Sequence, residues 1–148
     1  MDYEALKQGL SEAIPFVKAL RLEYVEVGPG RAVVRLPDRP DLANHVGSQH
    51  AGALFTVAET ASGAAFVGGF AERLGEITPL ARSASIDYTR IARGPIDASA
   101  TTRDEAEELL SRLDADGRVE FTIDVELADG EGERVAAATV DWHVRRND

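Results

Sequence analysis

Residues 44–70 read NHVGSQHAGALFTVAETASGAAFVGGF, and the fold turns on how this stretch is read. From Ala51 onward nearly every residue is apolar or tiny, with Ala53, Ala58, Ala61, Gly63, Ala65 and Gly68 spread over every face rather than gathered in one stripe. A helix that is apolar all round is expected to be buried all round. About 20 residues form a rod of ~30 Å, and side chains this small let a sheet approach it closely. Ser48 is the expected N-cap.

One charge breaks the pattern. Glu59 sits near the middle of the helix, with Phe55 and Gly63 at i±4 and Thr56 and Ser62 at i±3. No Lys or Arg occurs between Arg39 and Arg73, so the helix supplies no partner for this carboxylate. A carboxyl group in apolar surroundings has a raised pKa, and such groups concentrate at functional sites. The plainer alternative is a Glu that reaches solvent along a wet helix edge.

Working outward, 148 residues suit a single domain, 1–148, large enough to bury a sizeable core. The absence of cysteine excludes disulfides, thiolate metal sites and a Cys nucleophile, and fits a reducing, cytoplasmic setting. The first 20 residues mix charge with apolar side chains and do not read as a signal peptide. Thr56, Glu59, Thr60 and Ser62 inside a Gly- and Ala-rich helix argue against a membrane span. A net charge of −10 disfavours nucleic acid and anionic membrane as partners.

Upstream, residues 3–13 have helical apolar spacing, stopped before Pro15. LEYVEV (22–27) and RAVVRL (31–36) form a hairpin through Gly28-Pro29-Gly30. Downstream, Gly75 and Pro79 mark a connection, followed by strands at 81–91 and 96–103 separated by Gly94-Pro95. DEAEELLSRLDADG reads as a short amphipathic helix with Asp104 as cap and Gly117 as stop. VEFTIDVEL (119–127) alternates strictly, and 133–146 is a last strand with Ala136, Ala138, Val140, Trp142 and Val144 on its apolar face. The class is therefore α+β, one antiparallel sheet closed over a long helix.

The residues Asn44, His50-Ala51-Gly52, Phe55 and Glu59 resemble the helix signature of hotdog-fold acyl-CoA thioesterases of the phenylacetate-pathway and 4-hydroxybenzoyl-CoA type. Those relatives show Asn, then His-Gly-Gly, then an Asp or Glu nine residues after the His, as Glu59 follows His50 here. The resemblance implies a curved antiparallel sheet around a central helix, hydrolysis of an acyl thioester, and a homodimer or a dimer of dimers. It assigns Glu59 as the catalytic carboxylate, His50 and Asn44 as polar residues at the helix entrance, and Ala51 as the residue whose backbone N–H holds the thioester oxygen, beside Gly52. Ser85 resembles a serine that some members place across the dimer interface. No cofactor is implied beyond the coenzyme A carried by the substrate. Two departures stand out: Ala51 replaces the commoner first glycine, and the helix at 104–114 interrupts a region usually made of strand.

The residues themselves support the same chemistry. With Ser48 as cap, the N–H groups of Gln49, His50 and Ala51 lack intrahelical acceptors, and the helix dipole adds about half a positive charge there. A carbonyl polarised at that end can be attacked by water deprotonated by Glu59, or by Glu59 itself. Arg82, Arg90 and Arg93 are candidates for the phosphates of coenzyme A, or else a solvated strand edge. No metal is expected, because His45 and His50 have no cysteine or acidic cluster beside them. A non-catalytic module that binds an acyl thioester or a protein partner is the alternative function.

Overall fold

A computed structural model describes residues 1–148. Six strands make one sheet in the order β1-β2-β4-β5-β6-β3, every pair antiparallel. They are β1 (Glu23–Gly28), β2 (Arg31–Leu36), β3 (Ile77–Tyr88), β4 (Ile96–Thr102), β5 (Arg118–Ala128) and β6 (Arg134–Arg146). The long helix α3 (Ala51–Gly69) lies against the concave face, in the hotdog arrangement that the resemblance implies. Two helices precede the sheet, α1 (Tyr3–Ala13) and α2 (Pro15–Leu20), and α4 (Ala106–Asp116) joins β4 to β5.

Strict alternation explains the inner face. Val119, Phe121, Ile123, Val125 and Leu127 of β5 are all buried, as are Ala136, Ala138, Val140, Trp142 and Val144 of β6. Across them lie Ala53, Leu54, Val57, Ala58, Ala61, Ala64 and Ala65 of α3, so the small side chains serve close approach as expected. The β1–β2 turn crosses the C-terminal end of α3, and Gly30, at φ +70°, gives that turn a backbone conformation that side chains rarely accept. α3 is long and apolar enough to cross a membrane, yet 61% of its most apolar 18 residues are buried within the fold.

Several expectations are corrected. α3 is not buried all round: Phe55, Thr56, Glu59, Gly63 and Val67, spaced three and four apart, form a stripe that the sheet leaves uncovered. Pro15 ends α1, but it also starts α2 from the first helical position, where its missing N–H does no harm. β3 runs from Ile77 to Tyr88 instead of 81–91, because Pro79 lies in an edge strand where a missing donor is tolerated. Asp104 does not cap α4. Its carboxylate instead accepts from Arg112 at 2.6 Å, and Glu105 occupies the cap position without a side-chain bond.

The edge strand β3 is unlike the rest of the sheet. Eleven of its twelve residues are at least partly exposed, including Pro79, Ala81 and Ala84, which point to the same side as α3. A long edge exposed on both faces is normally covered by pairing.

Candidate active site

The entrance to α3 is built by a loop that Asn44 ties together. Its Oδ1 accepts from the amides of Val46 and Ser48, both at 3.1 Å, and its Nδ2 donates to Ser48 Oγ at 2.8 Å. Asn44 therefore shapes the loop and has little bonding capacity left for a ligand. Ser48 is engaged with Asn44 and does not cap the helix. The cap is His50, whose Nδ1 accepts from the Gly52 amide at 2.8 Å, so in the neutral ring the proton sits on the exposed Nε2.

This loop also decides which amides are free. Gln49 N–H donates to the Ala92 carbonyl and His50 N–H to that of Leu42, at 2.8 and 3.1 Å. Of the three donors expected from the sequence, only the exposed Ala51 N–H finds no acceptor in the protein. Gly52 has another duty: a Cβ there would stand 3.0 Å from His50 Nδ1, so its lack of a side chain makes room for the capping imidazole. Across from the entrance, the Tyr88 hydroxyl donates to the Ala51 carbonyl at 3.1 Å.

Glu59 lines a cavity of about 570 Å³ between α3, the α1–α2 corner and the inner face of the sheet, with Phe16, Val17, Phe66 and Trp142 among its walls. No side chain or amide bonds the carboxylate, and no cation pairs with it. Burial pushes its pKa above the usual carboxylate range. Below it, Ser62 Oγ donates to the Glu59 carbonyl at 2.7 Å and accepts from Trp142 Nε1 at 3.3 Å, which fixes the cavity floor to the Glu59 turn.

The sequence reading missed Tyr24. Its ring is buried in β1 and faces the same cavity, and burial together with the Glu59 charge pushes its phenol up to about 12. At neutral pH it is therefore an uncharged hydroxyl. Its inward position in the alternation of β1 was the available signal, but only the folded chain shows that this face meets Glu59.

Other candidates lie elsewhere. Ser85 is opposite Thr139 in the β3–β6 register and shares a hydrogen bond with it at 2.9 Å, on the sheet face away from α3. One chain therefore does not bring Ser85 to Glu59. Arg82 pairs with Glu120 on that outer face, Arg90 with Glu133 at 3.6 Å, and Arg93 is exposed without an acidic partner.

A family model described as "Domain of unknown function (DUF4442)" matches residues 3–144. The chain belongs to the DUF4442 family. Among solved structures, this DUF4442 member is similar to PA5026 of Pseudomonas aeruginosa, described as a protein of unknown function and probable thioesterase. The two are 29% identical with a TM-score of 0.87, over 99% of this chain and 97% of that one. A mutant of the phenylacetic acid degradation protein PaaI from Thermus thermophilus is 27% identical over 88% of this chain and 98% of its own, with a TM-score of 0.68. PaaI of E. coli, from the phenylacetic acid degradation operon, shares the fold at 22% identity and a TM-score of 0.70, over 95% of this chain and 90% of that one. No curated protein matches the DUF4442 sequence.

Proposed function

We propose that this protein hydrolyses an acyl thioester, acyl-CoA or a related carrier, to a free acid and a thiol. The observation that carries the reading is Glu59, an unpaired carboxylate held in an apolar cavity of about 570 Å³ on the same helix as a free N-terminal amide. The probable-thioesterase description of PA5026 supports it.

In this mechanism the acyl group enters the cavity and its carbonyl oxygen takes the Ala51 N–H, aided by the helix dipole. A water attacks the carbonyl carbon and gives its proton to Glu59. The C–S bond then breaks, and the leaving thiolate takes the proton held by Glu59, which restores the carboxylate. A carboxyl group whose pKa lies above the ordinary value is a stronger base when ionised, which suits it to activating water. Glu59 must be ionised to act, so thiol release is expected to rise with pH and to reach half its plateau above the ordinary Glu value of about 4.3. A pH–rate profile of kcat checks this, and a midpoint at or below that value would remove the buried carboxylate from the mechanism.

The test of the reaction itself is a panel of acyl-CoA esters of increasing chain length, followed by thiol release. Turnover that improves as the acyl group fills the apolar cavity is expected. A panel that binds without turnover would make the protein a binding module.

The active form is expected to be a dimer or a dimer of dimers. β3 offers twelve residues of unpaired edge, and Phe55, Leu80, Tyr88 and Ile91 are exposed on or near it. Light scattering at micromolar concentration should give at least twice the 15.9 kDa chain mass. A monomer would leave the exposed edge unexplained.

A further inference from the structure

The end of the sheet beside α4 carries a concentration of positive charge that the thioesterase reading does not use. A cleft of about 950 Å³ opens where α4 meets β5 and β6, and Arg112, Arg118, His143, Arg145 and Arg146 line it. It lies at the Thr78 end of β3, whereas the α3 entrance meets the Tyr88 end, about 30 Å away at the rise of an extended strand.

In a chain of net charge −10, acidic partners for arginine are plentiful. Nine of the 14 arginines have one; the five without are Arg21, Arg93, Arg118, Arg145 and Arg146. Three of those five share this one cleft. Its other charges are largely satisfied, since Arg112 pairs with Asp104 and Glu120 with Arg82. That leaves three guanidinium groups against the single carboxylate of Asp116.

The register sharpens the point. Arg118 and Arg145 are directly opposite each other across β5 and β6, on the wet face. Like charges in directly opposed positions destabilise a sheet. Arg146 adds a third guanidinium, hydrogen-bonded only to the Asp114 carbonyl at 3.4 Å.

We propose that this cleft is a binding site for a phosphate-bearing small molecule, whose oxygens bridge Arg118 and Arg145 and relieve their repulsion. Guanidinium groups on neighbouring strands present paired N–H donors that suit phosphate oxygens bidentately. The acidic remainder of the surface favours a compact anion over a nucleic acid strand, which would be repelled beyond the cleft.

The test is calorimetric titration of the full chain at low salt with inorganic pyrophosphate and with adenosine 3′,5′-bisphosphate. Arg145→Gln and Arg118→Gln are the test variants, with Arg21→Gln, an unpaired arginine outside the cleft, as control. Saturable binding is expected, weakened at least tenfold by either cleft variant and unchanged by Arg21→Gln. Pyrophosphate should raise the melting temperature of the parent and not of the cleft variants. Without ligand, Arg145→Gln should melt above the parent because the opposed charges are gone. Equal affinity for the two ligands assigns recognition to the phosphates alone, and tighter binding of the bisphosphate assigns it to a nucleotide. Absence of binding by both, or equal weakening in Arg21→Gln, overturns the site. None of these readings depends on thioester hydrolysis.

Discussion

Glu59→Gln is expected to lower thiol release by about a hundredfold or more, the usual loss when a general base is removed, while the protein stays folded. Gln keeps the shape of the side chain, and the Glu59 carboxylate has no ion pair or hydrogen bond for it to break. Stability should move the other way from activity. Burial raises the carboxyl pKa in the folded state above its unfolded value, so the folded chain holds this proton more tightly. The resulting stabilisation is complete below the ordinary carboxylate pKa and is lost as pH rises through the raised one. Near neutral pH the parent therefore carries a buried charge that the variant lacks, and Glu59→Gln should melt at the same temperature or higher. At pH 4 the difference should shrink, because Glu59 is then protonated. Melting curves at the two pH values and thiol-release rates at neutral pH check both halves. A variant that hydrolyses as fast as the parent would make Glu59 structural.

The parts of this fold that were legible in the sequence are those written in periodicity. The alternation of Val119 to Leu127 and of Ala136 to Val144 placed two central strands and their buried faces, and the all-small helix placed the centre of the core. What periodicity cannot carry is the identity of a hydrogen-bond partner far along the chain. Ser48 was the better cap by residue type, but Asn44 engages its hydroxyl, while Ala92 and Leu42 take the amides of Gln49 and His50. The cap consequently moves to His50, and the free donor narrows to Ala51. The arginines show the same limit. Arg82 and Arg90 looked available in the sequence, and only the folded chain brings Glu120 and Glu133 beside them. Glu59 was legible for a sound reason, since a charge without a local partner on an apolar helix has few structural uses. Tyr24 was not, because its role depends on which helix face its strand meets.

The uncovered stripe of α3 links the packing to the chemistry. Ala residues on the opposite faces let the sheet come close, and the α1–α2 corner closes over the stripe from outside without filling it. The space that remains holds Glu59 away from bulk water, and this accounts for its raised pKa.

At the other end of the helix the close approach becomes a strict steric limit, and Gly68→Ala is expected to destabilise the protein strongly. A Cβ at Gly68 would overlap the carbonyl oxygen of Gly28, and it would stand 2.9 Å from the carbonyl carbon and 3.2 Å from Val27 Cγ1. The obstacle is backbone in the β1–β2 turn, so no side chain can swing aside. Alanine ordinarily gains up to ~1 kcal/mol over glycine inside a helix. Overpacking of this kind costs about 3 kcal/mol, so the clash wins by roughly 2 kcal/mol or more. For a chain of this size the melting temperature should fall by about 5 °C or more. Gly63→Ala is the matched control: its Cβ would meet Trp142 Cζ2 at 3.9 Å, an ordinary contact, so the helix gain should survive and melting should rise slightly. Gly63 also lines the Glu59 cavity, and the added methyl should therefore slow turnover of the bulkiest acyl groups first. If Gly68→Ala melted as high as Gly63→Ala, the turn would not rest on the helix, and the tight wrapping derived from the small residues of α3 would be wrong.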